Sequence, residues 1–239
     1  MNVFDGSLIG TSFVQILPSL NVTLLITVLS ALLGLLLGLL IALIRMKKVP
    51  VLYQIATVYV SFMRGTPLLV QLFLSYYGIP LLLDLLDTRF HWNLNVNSVP
   101  ALLFVFVAFS LNESAYNSEF IRSAILSVDH KDLEAASSMG MNNWQLLRRV
   151  IVPQAMIVAL PNLGNSLISL VKSTSLAFTI GVLDIMGSAK VIAGGNMHFF
   201  ETYIGAALIY WIVCIIFELI LRKLETIFNI SEKGVKADV

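Results

Sequence analysis

The sequence predicts an all-α integral membrane protein with five spanning helices, and three observations carry that expectation. The chain is 58% hydrophobic and 12% charged with a mean hydropathy of +0.88, whereas soluble domains carry about 25% charged residues. Five stretches approach the roughly 20 mostly apolar residues that a helix needs to cross a bilayer. Lysine and arginine gather in alternate connecting segments, the pattern that marks cytoplasmic loops.

The first span, 20–44, carries no charge and is bounded by Arg45, Lys47 and Lys48. The second, 52–77, is interrupted by Arg64-Gly65-Thr66-Pro67. Proline removes a donor and frees the carbonyl one turn before it, so a kink or a local unwinding is expected there. Non-helical backbone at membrane depth is tolerated where it lines a water-filled cavity. Arg64 has a second, structural reading, as a partner for carboxylates of its own chain that holds the kink.

The third span, 99–119, begins apolar and turns polar. Asn112, Tyr116 and Glu119 follow i, i+4, i+7 spacing and share one helical face; such a stripe should face a pore or a neighbouring subunit rather than lipid. Glu119 also has Arg122 three residues on, and Glu113 a polar group on the next span, as alternative partners. The fourth span, 160–183, contains Lys172-Ser173-Thr174, and the fifth, 203–221, ends at Arg222-Lys223 with Glu218 placed to pair with Arg222. Intramembrane ionisable residues are costly and mark function by default. Glu119, Ser173 and Thr174 are expected to line a small polar cavity near the midplane; Lys172 has a structural reading as an alternative, paired with a carboxylate such as Glu119 or Glu113.

With the N-terminus outside, eleven Lys and Arg fall in the inner segments and only Arg89 and Lys190 in the outer ones. That orientation puts the C-terminus, the loop 120–159 and the tail 226–239 in the cytoplasm, after a single transmembrane domain over 1–225. The loop is predicted to fold as a knob: a helix over 121–138, a stop at Gly140 in the left-handed conformation, an N-cap at Asn142 with Gln145 completing a capping box, and a second helix through Trp144 and Leu147 to Pro153. On patterning alone an amphipathic loop lying on the headgroups is an equal reading.

Several functions are excluded. The lone Cys214 rules out an internal disulfide or a cysteine metal site. His91, His130 and His198 are isolated, with neither metal nor triad spacing. A net charge of +1 argues for no nucleic-acid partner. No G-x-x-x-x-G-K-[ST] occurs, so the chain has no phosphate-cradling loop for ATP. The first basic residue is Arg45, so a cleavable signal is not expected.

The stretch EAASSMGMNNWQLLRRVIVPQA, 134–155, resembles the EAA signature of ABC importer permeases, with Glu134, Ala135, Ala136, Gly140 and Pro153 on the pattern and valine at 150 and 152 where isoleucine and leucine are commoner. RGTPLLVQLFLSYYGIP (64–80), LNESAYNSEFIRSAI (111–125) and SLISLVKSTSLAFTIGV (166–182) are similar to permeases for polar amino acids, and the resemblance covers about 15–225 in order. It implies the type I ABC importer permease fold in a bacterial inner membrane. The knob would be the coupling helix, presenting Glu134, Ala135, Ala136 and Gly140 to a separate ATPase subunit that binds ATP and Mg, so that no cofactor belongs to this chain. Further implied partners are a second permease subunit, identical or paralogous, and an external substrate-binding protein. The outer segments 82–98 and 184–202, with Asp84, Asp87, Arg89 and Trp92, would be its landing surface.

The implied substrate pathway comprises Arg64, Thr66, Asn112, Glu113, Tyr116, Glu119, Lys172, Ser173 and Thr174. Departures from the family pattern are the extra carboxylate Glu113, Ser118 in place of alanine, and Ser173 in place of aspartate, the last arguing against a cationic amino acid. SYYGIP at 75–80 and ALIYW at 207–211 most resemble cystine importer permeases. An ATP-independent secondary carrier or channel would also need intramembrane charge and broken helices. It would leave the knob without a purpose, and the five spans show no evident internal repeat. A membrane enzyme is weaker still, for want of a nucleophile, base and metal set.

Overall fold

A computed structural model describes residues 4–90 and 99–228, and every regular element among them is helical. In chain order the α-helices are α1 (Ser7–Ile16), α2 (Leu20–Met46), α3 (Leu52–Gly65), α4 (Leu68–Phe90), α5 (Ala101–Leu126), α6 (His130–Ser138), α7 (Asn143–Leu146), α8 (Val152–Ser173), α9 (Ile185–Asn196) and α10 (Phe199–Ile227).

The expected bundle has α5 at its centre. Among the described residues, four stretches can cross a membrane by length and composition: Ser7–Met46, Leu68–Phe90, Asn143–Ile180 and Phe199–Ile227. The predicted third span, α5, falls outside that set because its second half is polar. Its Asn112, Glu113, Ser114, Asn117 and Ser118 are nonetheless buried, since α2, α3, α4 and α8 all pack on it. A helix shielded from lipid by its neighbours need not be apolar.

Close packing of α2 on α5 follows from small residues. The buried stripe of α2 runs through Thr23, Thr27, Ser30, Gly34, Gly38 and Ala42, one residue per turn, while Leu32, Leu36 and Leu40 on the other side are exposed. α5 answers with Ser110, Ser114 and Ser118 at the same spacing. A Cβ built on Gly34 would lie 2.5 Å from the Cβ of Glu113, and one on Gly38 2.9 Å from that of Asn117. This Gly-x-x-x-Gly pair lets the backbones approach where lipid supplies no hydrophobic drive.

The second span differs from the prediction. Rather than one interrupted helix over 52–77, α3 ends at Gly65, Thr66 is extended (φ −120°, ψ 147°), and α4 starts at Leu68 and continues to Phe90. Proline at 67 leaves the Met63 carbonyl without its helical donor. The Gln71 side-chain amide supplies one, donating to Met63 O (2.8 Å) and Thr66 O (3.0 Å), while its oxygen accepts from Asn112 Nδ2 (2.9 Å). The break is thereby stapled to α5.

Three further differences concern the ends of the bundle. Residues before the first span form α1, which packs on α10 where Gly205 has no Cβ to meet Phe13 N and Ile9 O, 3.2 and 3.3 Å from that position. Where described, the outer segments expected to be loops are largely helical: 82–90 prolongs α4, and 184–202 contains α9, capped by Asp184, whose Oδ1 accepts from Gly187 N at 2.8 Å. Trp92 and His91 of the expected landing surface, and the tail from 229 onward, lie outside the described residues. α8 passes at Thr174 into a tighter 3-10 stretch that ends at Gly181 (φ +87°).

Candidate functional site: a polar cavity joined to a surface knob

A cavity of about 470 Å³ opens between the α3–α4 break, α5 and α8. The break contributes Thr66, Pro67 and Leu68; α5 contributes Asn112, Glu113, Tyr116 and Phe120. From α8 come Asn162, Asn165, Ser166, Ser169 and Ser173, spaced so that all five share one face. Glu113 is 7% exposed and forms no ion pair among the described residues; its Oε2 accepts from Ser166 Oγ at 2.9 Å, the polar group on the next span that its position calls for. Amides, hydroxyls and one carboxylate on rigid helices make a site that can hold both ends of a small zwitterion.

Of the predicted pathway residues, Thr66, Asn112, Glu113, Tyr116 and Ser173 line this cavity, whereas Arg64, Glu119, Lys172 and Thr174 do not. Thr174 is fully buried and donates to Val171 O (2.8 Å). Lys172 is exposed on the flank of α8, and the expected pairing with Glu119 or Glu113 is absent among the described residues, because Glu113 is engaged by Ser166 and Glu119 by arginines near the end of α5. The cavity expected from Glu119, Ser173 and Thr174 therefore keeps only Ser173 of the three. Asn162, Asn165, Ser166 and Ser169 were not singled out from the sequence, although their helical spacing was available.

Glu119 is the centre of a charge cluster. Its carboxylate accepts from Arg45 Nη1 (2.5 Å) and from Arg122 Nη2 (3.0 Å), and Arg64 Nη1 stands 3.8 Å away with its guanidinium over the Tyr116 ring, 5.6 Å from the centroid. The ends of α2, α3 and α5 are tied together here, and the structural reading of Arg64 as a residue that holds the break has a geometric basis.

The knob lies at this end of the bundle. Its predicted caps are present: Gly140 has φ +79°, Asn142 Oδ1 accepts from Gln145 N (2.9 Å) and Gln145 Oε1 from Asn142 N (3.0 Å). Two boundaries differ. The expected helix over 121–138 is divided, because α5 stops at Leu126 and Asp129 caps a separate α6, accepting from Lys131 N at 2.9 Å. The second helix does not stop at Pro153; it runs through a π turn, Leu147–Ile151, into α8, with Pro153 directly after that turn as the second residue of α8. Glu134, Ala135 and Gly140 are exposed, while Ala136 is buried in this chain's own packing. Met139 (78% exposed) and Trp144 (67%) add an apolar surface. Gln154 Nε2 donating to Asp132 Oδ2 (2.8 Å) and the cluster of Ala124, Val128, Ala155 and Ala159 fasten α6 to the ends of α5 and α8.

Comparison with known proteins gives this geometry its class. Residues 34–226 match the family described as the binding-protein-dependent transport system inner membrane component. The chain is 40% identical over 220 residues (92% of this chain, 94% of the relative) to the probable amino-acid permease protein YxeN of Bacillus subtilis (strain 168). It is 38% identical over 233 residues, 98% of this chain and 92% of the relative, to the L-cystine transport system permease protein TcyL of the same organism. A crystal structure of an amino acid ABC transporter with histidines contains a chain that superposes with a TM-score of 0.79 at 34% identity, over 94% of this chain and 99% of that one. The chain belongs to the family of binding-protein-dependent transport components, the membrane-embedded permeases of ABC transporters, which carry no ATPase site of their own. Its fold is that of the type I importer permeases.

Proposed function

We propose that this chain is the membrane-spanning subunit of an ATP-driven importer for a polar amino acid, oriented with its N-terminus outside and its C-terminus in the cytoplasm of a bacterial inner membrane. One observation carries the reading: α5 and α8, the two helices that supply most of the cavity's polar lining, are the two that the knob joins. A rigid displacement of the knob would reach the α8 wall through the unbroken run of α7, the π turn and α8, and the α5 wall across only the three residues 127–129.

In this reading a separate ATPase subunit, holding ATP and Mg, docks on Glu134, Ala135, Gly140 and the apolar Met139 and Trp144. A second permease subunit completes the pathway. An external binding protein delivers substrate at the far end, near α9 and the end of α4. Thr66, Asn112, Glu113, Tyr116 and Ser173, with Asn165 and Ser169, contact the amino acid. Arg64 and Glu119 hold the break and the cytoplasmic ends of the helices together, and Lys172 and Thr174 serve packing or subunit contact. Cystine is the proposed substrate. SYYGIP and ALIYW support it, as does the resemblance to a relative named for cystine. A neutral zwitterion also suits a cavity with a single carboxylate.

Uptake of labelled amino acids by cells expressing the full transporter tests this. Alanine at Glu113, Asn165 and Ser169 together should lower the rate at least tenfold at normal expression, and cystine should outcompete glutamine and arginine. Unchanged rate and affinity would remove the cavity from the pathway, and preference for another amino acid would remove cystine alone.

A further inference from the structure

A second pocket, of about 220 Å³, lies at the knob end of the bundle where the ends of α2 and α5 meet the start of α3. Its polar lining is cationic: Arg45, Lys48 and Arg122, with the Tyr53 ring beside them. Glu119 offsets one of these charges through its bonds to Arg45 and Arg122, which leaves about two positive charges uncompensated around the pocket. Arg45 is only 13% exposed, and its Nε is buried with no acceptor among the described residues. A buried guanidinium donor left without a partner is costly, and here it belongs to a residue that lines an open pocket. Lys48 adopts the left-handed conformation (φ +49°), and Lys48 rather than the adjacent Lys47 lines the pocket.

We infer that this pocket binds the phosphate of an anionic phospholipid headgroup. The chemistry required is that of a phosphate monoanion, which guanidinium and ammonium donors match through charge-assisted hydrogen bonds. The surroundings favour lipid over a soluble anion or a protein carboxylate. The pocket sits at the foot of α2, whose outer face exposes Leu36, Leu40 and Leu43, and its rim carries Leu126, exposed, and Met46. A bound phosphate would therefore have its glycerol and acyl chains beside a hydrocarbon-facing wall. Tyr53 stands where aromatic side chains settle at a membrane interface, and basic pockets between helices at that level are suited to acidic headgroups. The knob contributes no residue to the pocket. Occupancy would brace the Arg45–Glu119–Arg122 junction, which ties α2 to the end of α5 just before the chain enters the knob. The lipid composition of the membrane would in this way bear on the link between knob and cavity.

The test uses the full chain, purified with whatever subunits accompany it, and native mass spectrometry after exchange into phosphatidylglycerol or phosphatidylcholine with the same acyl chains. Phosphatidylglycerol should be retained in preference. Lys48→Glu, which changes an exposed residue with no ion pair among the described ones, should reduce that retention roughly thirtyfold, from about one kcal/mol for each of two charge units. Lys47→Glu, on the neighbouring residue that does not line the pocket, should have little effect. Equal retention of both lipids, or equal effects of the two variants, would overturn the proposal. So would displacement of the lipid by millimolar inorganic phosphate, which would make the site one for a soluble anion. Loss of the ATPase subunit from Lys48→Glu with lipid retention unchanged would overturn it in favour of an acidic protein contact. None of these outcomes depends on the amino acid transported.

Discussion

Replacing Gly34 with alanine probes the contact on which the central packing rests. The added Cβ would stand 2.5 Å from Glu113 Cβ and 3.3 Å from both Ser110 O and Ser114 N. Carbon atoms pack comfortably at about 3.5–4.0 Å, so α2 and α5 would have to part by roughly 1 Å. Two of the three obstacles are backbone atoms and the third is a Cβ, so no flexible side-chain end can swing away. Overpacking of this kind costs about 1–3 kcal/mol. Alanine is the better helix former by up to about 1 kcal/mol, and Gly78→Ala serves as the reference because nothing lies within 4 Å of a Cβ there. The difference between the two variants isolates the packing cost, and for a chain of this size it corresponds to roughly 2–12 °C in unfolding midpoint. Thermal unfolding of the detergent-purified protein measures it. Amino acid uptake should fall as well, since Glu113 is the residue displaced and it lines the cavity. A midpoint for Gly34→Ala equal to or above that of Gly78→Ala would refute the close-packing argument.

Two further outcomes are expected. Glu119→Ala should destabilise the protein by about 3 kcal/mol, because it strands Arg45 without its carboxylate; adding Arg45→Met should recover most of the loss in a double-mutant cycle on the same melting assay. Gly140→Val places a β-branched residue at φ +79°, and Asn142→Ala removes the capping box at about 1 kcal/mol. Both should leave membrane insertion intact and lower the unfolding midpoint by only a few degrees, about 2–4 °C per kcal/mol lost, while reducing copurification of the ATPase subunit.

The knob was legible residue by residue because its determinants are local. Gly140, Asn142 and Gln145 act within a single turn, and their roles follow from backbone conformation and short-range hydrogen bonds. The pairing of Glu218 with Arg222, observed at 2.6 Å, is equally local. The polar face of α8 could also have been read, since Asn162, Asn165, Ser166, Ser169 and Ser173 recur at helical spacing, and so could the Gly34-x-x-x-Gly38 pair. Gln71 offered no such signal: its value lies in reaching Met63 O and Asn112 at once, a coincidence of three segments.

Hydropathy, charge bias and the local caps thus determined the membrane class, most of the spans, the site of the helix break and the form of the knob, because each depends on composition or on residues within a few turns. Which polar residues meet was decided only by the tertiary structure. Asn112, Tyr116 and Glu119 share a helical face, yet Glu119 is drawn to Arg45 and Arg122 while Asn112 and Tyr116 turn to the cavity. Helical period says which side chains point the same way. The partner within reach depends on which helix lies opposite at each level, and that is set by how closely α2, α3, α4 and α8 pack around α5.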